Sequence, residues 1–329
     1  MPSPNSIFTE LVSTTFRNHG KVVMDNVSRH NALYRTIAAN GKARTEDGGT
    51  SITIPLEYAA NGTYQRYSGL DLLNVAQSDV ISAAEFQWRN IAIHVVASGN
   101  ELRINNGASK IASLAKARLK NAMNTFANNF SADMYGDGSL SNQIGGLQLL
   151  VPDSGAGTVG GIDSATFSFW QSIVQSAAAP LQGGGGITPS GVAGIMESLM
   201  LPLYIRTTRN GDQVDLIVSS DDYFTFYETG LSSQKQYMDS DSAQAGFSAL
   251  RYKKAKVIFD GVSGMPSSRM YFLNTNYIEV VAHSQANLTV VGDEGDGIRP
   301  INQDAAVIPV LWMGNMTISN RSLMGVVRP

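Results

Sequence analysis

The chain has 329 residues, enough to bury at least one large hydrophobic core and to form two or three subdomains. A hydrophobic fraction of 43% with a net charge of only −3 is the opposite of the composition typical of an intrinsically disordered chain, so we expect a folded protein. Charged residues make up 16% of the chain, against roughly 25% in an ordinary soluble domain, so we expect much of the surface to face other proteins.

The composition also excludes several kinds of site and location. The chain has no cysteine, so disulfides and thiolate metal sites are excluded. Polar residues interrupt residues 1–20, so we predict no signal peptide. No run approaches the roughly 20 apolar residues that a membrane span needs. We therefore expect a cytoplasm-like compartment and no membrane partner, and the missing basic run argues against a sequence-reading nucleic-acid binder.

The first 41 residues have the pattern of an arm. Short apolar groups at helical spacing occur between residues 6 and 40, and Asn40-Gly41 is a helix stop signal. These pieces are too short to bury a core of their own. We predict an N-terminal arm over residues 1–41 with one or two helices.

Residues 42–85 are predicted to form an extended hairpin. Residues 51–58, SITIPLEY, alternate apolar and polar side chains as a half-buried strand does, and Pro55 favours an edge strand. Asn61-Gly62 is a tight-turn signal, and residues 64–67 are predicted to begin the returning strand. An isolated hairpin is marginal in water, and no adjacent segment looks like a covering layer. We therefore expect a neighbouring subunit to cover it.

A long amphipathic helix is the clearest predicted element. It follows a predicted strand over residues 86–97 and a turn at Asn106-Gly107, covers residues 109–130 and is about 30 Å long. Its apolar residues recur with a period of 3.6 on one side. They are Ile111, Leu114, Ala115, Leu119, Ala122, Phe126 and Phe130.

The rest of the chain mixes helices and strands without regular alternation. Residues 135–186 are rich in Gly, Ser and Asp, and Thr188-Pro189 is a helix start signal. A short helix is predicted from Asp221-Asp222. Strands are predicted at residues 214–219, 256–259, 270–273, 277–282, 287–291 and 306–319. This order favours an α+β fold over a doubly wound sheet.

No local motif indicates catalysis. The glycine run 183–186 lacks the Gly-Lys-Ser/Thr of a phosphate loop and is interpreted as a connector. The acidic residues 293–297 and the pair Asp239 and Asp241 lack calcium-loop spacing and are interpreted as solvated loops. The four histidines show no metalloenzyme pairing. We assign no catalytic, cofactor-binding or metal site and predict that the chain is not an enzyme, although paired carboxylates can form in space.

The aromatic residues of the hairpin region are interpreted as packing residues. Tyr64, Tyr67, Phe86 and Trp88 lack the basic track that a stacking platform for single-stranded nucleic acid needs. Glu57 and Arg66 are interpreted as an intersubunit or cross-strand pair on opposite arms of the hairpin.

The order of these elements resembles the major capsid protein of tailed bacteriophages, with the Hong-Kong-ninety-seven-like fold, over nearly the whole chain. Several short stretches resemble members of that family, and they occur in the same order and at compatible spacing along the chain. They lie at residues 52–58 and 67–69, 135–138, 145–147, 246–247 and 250–252, 270–275 and 314–315.

The resemblance implies four parts: an N-arm at 1–41, an E-loop hairpin at 42–85, a P-domain and an A-domain at 188–290. The P-domain would comprise residues 86–187, with a spine helix at about 109–130, and return strands at 291–329. By resemblance, the subunits form hexamers and pentamers of an icosahedral procapsid and head around double-stranded DNA, assembled in the host bacterial cytoplasm. The implied intersubunit contacts are Ile54, Glu57, Tyr58, Asn61, Gly62, Tyr64, Arg66 and Tyr67.

Two departures from the family pattern change what the resemblance implies. Some members crosslink their shells through an isopeptide bond from an E-loop lysine, but no lysine occurs between Arg44 and Ser109. We therefore expect non-covalent association or a separate cement (decoration) protein. Since the arm begins at Met1, with no room for a long scaffolding extension, we also expect a separate scaffolding protein, besides a portal.

Three other hypotheses stay open at this point, and one of them is another virion component such as a tail protein, which would form tubes or rings. An encapsulin-like compartment shares the fold but encloses protein cargo, so packaged DNA would exclude it. A soluble intracellular enzyme with an unrecognised site predicts a small closed oligomer with a ligand-sized pocket, whereas the capsid reading predicts a hairpin protruding beyond the core.

Overall fold

The computed structural model describes residues 31–104, 108–190, 192–231, 249–261, 264–290 and 302–329. Most of the predicted arm, the acidic residues 239–241 and 293–297, and the Gly246-Phe247 stretch lie outside the described residues. Helices and strands are mixed throughout the described part, as the predicted α+β class requires.

Helix α1, Ala32–Ala39, is the described end of the predicted arm. It begins at Asn31, whose Oδ1 accepts a hydrogen bond from the Tyr34 backbone N–H at 2.8 Å, which satisfies one of the unpaired donors of the first turn. The Asn31 side chain is buried and donates to the Ser131 carbonyl at 3.4 Å. The cap thus also ties α1 to the body of the chain.

A four-stranded sheet, here called sheet 1, has the order β1-β12-β13-β4. β1 runs parallel to β12, and the other neighbouring pairs are antiparallel. The register of β12 shifts between Ala282 and Asn287, so the strands predicted at 277–282 and 287–291 are one irregular strand. The strands are β1 Ala43–Glu46, β4 Arg89–Ser98, β12 Ile278–Val290 and β13 Ala305–Ile318.

The long helix α3, Ala108–Asp133, packs against sheet 1 and confirms the predicted amphipathic helix. It follows the short helix α2, Gly99–Ile104. The described part of its apolar side, from Leu119 to Phe130, is buried. The side chains of the earlier stripe residues Ile111, Leu114 and Ala115 lie outside the described ones.

Phe130 is the centre of the contact between helices and sheet 1. Its ring lies 5.0 Å from that of Trp312 and 5.9 Å from that of Tyr34, both edge to face, and 5.4 Å from that of Phe126. Edge-to-face pairs at these distances are favourable because the positive ring edge meets the negative ring face. One side chain thus joins α1, α3 and β13.

A six-stranded mixed sheet, here called sheet 2, has the order β7-β14-β11-β8-β10-β9. All residues of β8 and β11 are buried. Leu216 and Val218 belong to the core shared with sheet 1, whereas Ile217 faces a second core. The strands are β7 Ile173–Ser176, β8 Leu216–Ser219, β9 Ala249–Tyr252, β10 Ala255–Phe259, β11 Met270–Leu273 and β14 Gly325–Arg328.

Helices cover the second face of sheet 2. A wide π-type helix, Val192–Met200, continues into α5, Leu201–Arg206, and α6 runs over Asp221–Leu231. The start at Asp221-Asp222 agrees with the prediction. The helix predicted from Thr188-Pro189 begins later, at Val192 among the described residues.

The segment between α3 and β7 is compact, although its composition is rich in glycine. It contains helix α4, Leu147–Leu150, a two-stranded ribbon of β5, Thr158–Val159, and β6, Ile162–Asp163, and a 3₁₀ turn at Ser168–Trp170. The buried Arg321 guanidinium donates to the Leu150 carbonyl from Nε at 2.9 Å and so holds this segment against the C-terminal region.

Each of the two sheets combines strands from more than one of the predicted parts. β12 belongs to sheet 1 although it lies within residues 188–290, and sheet 2 takes β7 and β14 from outside that range. The four-part division therefore stays a prediction.

Alkaline pH should destabilise the fold through Tyr223. This buried hydroxyl has no hydrogen-bond partner among the described residues, and burial raises its pKa to about 12. The folded state therefore holds the phenolic proton between pH 10 and 12 while the unfolded state releases it, so stability falls as pH rises through that range. We expect Tyr223→Phe to remove this loss.

Urea unfolding at pH 8 and pH 11 tests the prediction. Relative to the unmodified chain, Tyr223→Phe should gain about 1 kcal/mol more at pH 11 than at pH 8. An equal difference at the two pH values would contradict it.

Candidate assembly surface

The predicted hairpin exists, but its returning strand is not where the sequence pattern placed it. β2, Ser51–Glu57, pairs antiparallel with β3, Ile81–Gln87, from Ser51 opposite Gln87 to Glu57 opposite Ile81. Residues 64–67 are part of a long loop over residues 58–80. The return predicted there is wrong because Asn61-Gly62 bends the loop without joining the two strands.

One face of the hairpin strands is covered by the same chain. The Glu85 backbone N–H donates to the Gly160 carbonyl at 2.9 Å, and a Cβ on Gly160 would lie 3.1 Å from the Phe86 ring. The ring of Tyr58 stacks on that of Phe169 at 5.5 Å. One face of the two strands is therefore covered by the same chain, and coverage of the exposed face and of the loop by a neighbouring subunit stays a prediction.

Trp88 holds the base of the hairpin against sheet 1. Its indole Nε1 donates to the Gly49 carbonyl at 3.0 Å, and its ring meets His283 edge to face at 5.4 Å. The Asn315 side chain donates to the Gln87 carbonyl at 2.8 Å. The packing role predicted for Trp88 and the buried Phe86 is confirmed, and the direction of the hairpin is set by these contacts.

The 58–80 loop is ordered by its own polar groups. Gln65 accepts from the Asn74 backbone N–H at 3.1 Å and donates to the Leu72 carbonyl at 3.0 Å. Asn74 donates to the Gly62 carbonyl at 3.2 Å. These bonds join the two sides of the loop, so its apolar side chains are displayed by a defined backbone.

This loop exposes a concentration of large apolar side chains. Leu70 is 101%, Leu72 96% and Val75 91% exposed, values close to those of an extended chain. Exposed apolar groups concentrated in this way mark surfaces that bind other proteins. We call the following residues the apolar tip: Tyr64, Tyr67, Leu70, Leu72, Leu73 and Val75.

The predicted contact residues divide into buried and exposed sets. Ile54 is buried within its own subunit, and Tyr58 is half-buried on Phe169. The exposed residues are Glu57, Asn61, Gly62, Tyr64, Arg66 and Tyr67. Their role in intersubunit contacts stays a prediction.

The predicted pairing of Glu57 with Arg66 across the hairpin is wrong. Glu57 ends β2 opposite Ile81, whereas Arg66 lies in the loop and on neither strand. The two residues are therefore not on opposite arms, and their pairing between subunits stays a prediction.

Sequence reasoning missed the most exposed part of the apolar tip. Residues 70–75, LDLLNV, combine four apolar residues with no strand or helix period. The available signal was an apolar run without helix or strand periodicity between turn-forming residues. Such a run cannot place its apolar side chains on one face of a helix or strand, so it does not pack into the core of its own chain.

Within the described part of the chain, no group of three or more His, Asp or Glu residues is arranged to hold a metal ion. No helix among the described residues is long and apolar enough to cross a membrane.

Neither a family model nor a curated protein matches the sequence, so the comparison depends on structure. The chain superposes on a chain of the capsid asymmetric unit of cyanophage A-1(L) with a TM-score of 0.58 and 15% sequence identity, covering 89% of this chain and 90% of the other.

This chain has the phage capsid fold.

Two further structures extend the agreement. The capsid of an empty GTA particle matches with a TM-score of 0.53 and 13% identity, over 89% of both chains. The procapsid of satellite phage P4, a structure that includes the size determination (Sid) protein, matches with 0.52 and 10% identity, over 94% of this chain and 90% of the other. The predicted capsid fold is thus confirmed over nearly the whole chain.

Proposed function

We propose that this chain is the major capsid protein of a tailed phage. Its copies form hexamers and pentamers that close into an icosahedral head around double-stranded DNA. The capsid fold supports the class of protein, and the apolar tip supports the self-association. The role is structural and requires no catalytic step.

The observation that carries the proposal is the exposure of the apolar tip on a loop that its own polar groups order. Burial of a large apolar side chain contributes roughly 1.5–3 kcal/mol of favourable free energy, which the exposed tip side chains do not gain within the single subunit. In a shell built from many copies, burial of the tip at each subunit contact supplies this free energy. The exposed Glu57, Asn61 and Gly62 precede the tip in sequence, and Arg66 lies within it. All four are proposed as the polar margin of the same contact.

The partners follow from the same proposal. Assembly uses a separate scaffolding protein and a portal. A cement protein reinforces the shell, because residues 45–108, which include both hairpin strands and their loop, have no lysine with which to form a covalent crosslink. The mature location is the virion, after assembly in the host bacterial cytoplasm. DNA is held without sequence specificity, which agrees with a chain whose net charge is −3.

Sedimentation of the expressed full-length chain, with and without a candidate scaffolding protein, tests the proposal. We expect a fast fraction that electron microscopy resolves into closed shells of uniform diameter. A discrete monomer or dimer under every condition would contradict it. Shells that hold protein cargo and no DNA in infected cells would instead identify an encapsulin-like compartment.

A further inference from the structure

β4 is an edge strand of sheet 1. It pairs with β13 from Arg89 opposite Gly314 to Ser98 opposite Ala305 without a register shift, and no second strand pairs with it among the described residues. An edge strand presents a row of N–H and C=O groups that can pair with another strand. The proposed function places self-association at the apolar tip and assigns no role to this edge.

β4 lacks the features that protect an edge strand from further pairing. Protected edges are short, or carry a charge, a proline or a bulge. β4 has 10 residues, and residues 90–98 contain no lysine, arginine, carboxylate or proline. The opposite edge of the same sheet, β1, is protected, because it has 4 residues and includes Arg44 and Glu46. β4 is therefore the edge of sheet 1 that can accept another strand.

The sequence of β4 matches itself when it is read in the opposite direction. Three apolar residues lie on each side of His94, and an uncharged polar residue follows at each end. Two β4 strands that pair antiparallel about His94 therefore place apolar residues opposite apolar residues and Asn90 opposite Ser98, with no like charges opposed. The apolar pairs are Ile91 with Ala97, Ala92 with Val96, and Ile93 with Val95.

This pairing also agrees with the two faces of sheet 1. Val95 and Ala97 are buried in the core on the face that packs against α3, whereas Ala92, His94 and Val96 are exposed on the other face. Residues directly opposite each other in an antiparallel pair share one face, so buried residues meet buried residues.

The symmetry of such a pair suits a closed shell. The twofold axis that relates two antiparallel copies of one strand is perpendicular to their sheet. The α3 helices of both copies therefore lie on the same face, as in a shell in which every subunit presents the same face to the interior.

We propose that β4 pairs antiparallel with β4 of a second copy, in a register centred on His94, and joins two four-stranded sheets into one continuous sheet. The contact is isologous, because both copies use the same surface. Backbone hydrogen bonds supply the attraction, and the matched side chains determine the register. The inference goes beyond the contact at the apolar tip.

Cysteine crosslinking of the full-length chain tests the proposal, because the chain has no cysteine of its own. In the proposed register, position 94 of one copy lies opposite position 94 of the other, with Cα atoms about 4.5–5.5 Å apart, within the range of about 4.4–6.8 Å for disulfides. His94→Cys with oxidised glutathione should therefore form a covalent dimer on non-reducing electrophoresis, which a reductant reverses.

Ala92→Cys and Val96→Cys test the register. Each variant alone should stay monomeric, because its two thiols would lie four residues apart along the paired strands, about 13 Å. Unassembled chains of the two variants should crosslink when they are mixed, because position 92 of one copy lies opposite position 96 of the other.

Thr45→Cys is the matched control, because Thr45 is exposed on the opposite edge strand β1. It should stay monomeric under the same oxidation. Circular dichroism checks the fold of each variant, and we expect no change because the substituted side chains are exposed.

Three outcomes would overturn the proposal. Equal dimer yields from Thr45→Cys and His94→Cys would show random collision. A dimer yield from Ala92→Cys alone as high as that from its mixture with Val96→Cys would exclude the register. No dimer of His94→Cys, either as unassembled chain or in shells, would exclude the pairing. Shell formation is measured separately by sedimentation, so the pairing and the proposed function can fail independently.

Discussion

Replacing Leu70, Leu72 and Val75 together by serine should leave the subunit folded and abolish shell formation. The three side chains are more than 90% exposed, so their loss removes little from the core of the subunit. If each is buried at a subunit contact, the substitution removes roughly 5 kcal/mol per contact, more than a thousandfold in the association constant. Sedimentation and electron microscopy measure the shells, and circular dichroism checks the fold.

The control for this prediction is Leu140→Ser combined with Ile205→Ser. Both residues are exposed apolar side chains outside the hairpin. Shells should still form with this variant. Deleting residues 61–65 should prevent assembly as well, because the deletion removes Gln65, whose bonds to Leu72 and Asn74 order the loop. Normal shells from the triple serine variant or from the deletion would contradict the bridging role of the hairpin tip.

Phe130→Ala should cost about 3–5 kcal/mol in the free energy of unfolding of the subunit, the usual range for removing a buried phenylalanine ring. The ring contacts Tyr34, Phe126 and Trp312, so its removal opens a cavity where α1, α3 and β13 meet. Urea unfolding of the unassembled subunit measures the change. We expect a lower urea concentration at the midpoint and an unchanged slope of the unfolding free energy against urea concentration.

Phe167→Ala is the matched control, because its ring is 47% exposed. It should cost less than about 1 kcal/mol, since partial exposure leaves less apolar surface to lose. A similar cost for Phe130→Ala and Phe167→Ala would show that the aromatic cluster at Phe130 does not hold the three elements together.

Elements whose signal is local in sequence were predicted well. The stripe of α3 and the alternation of β2 depend only on side chains a few residues apart, so each pattern indicates its own buried face. The strands near 256–259 and 270–273 were found for the same reason.

The hairpin shows why local signals fail for pairing. Asn61-Gly62 has a strong turn signal, but the partner of β2 begins only at Ile81. The order in sheet 2 is also non-local: Gly325 of β14 lies beside Ile173 of β7. Such pairings are selected by burial in the complete core, which no window of sequence contains.

The sequence by itself determined the class of this protein: an α+β chain with a long amphipathic helix, a projecting hairpin and no motif for catalysis. Only the tertiary structure decided which hairpin residues are buried on Gly160 and Phe169 and which remain exposed at the tip. Periodicity reports which face of an element is apolar, whereas contacts between distant residues depend on how all the elements share one core.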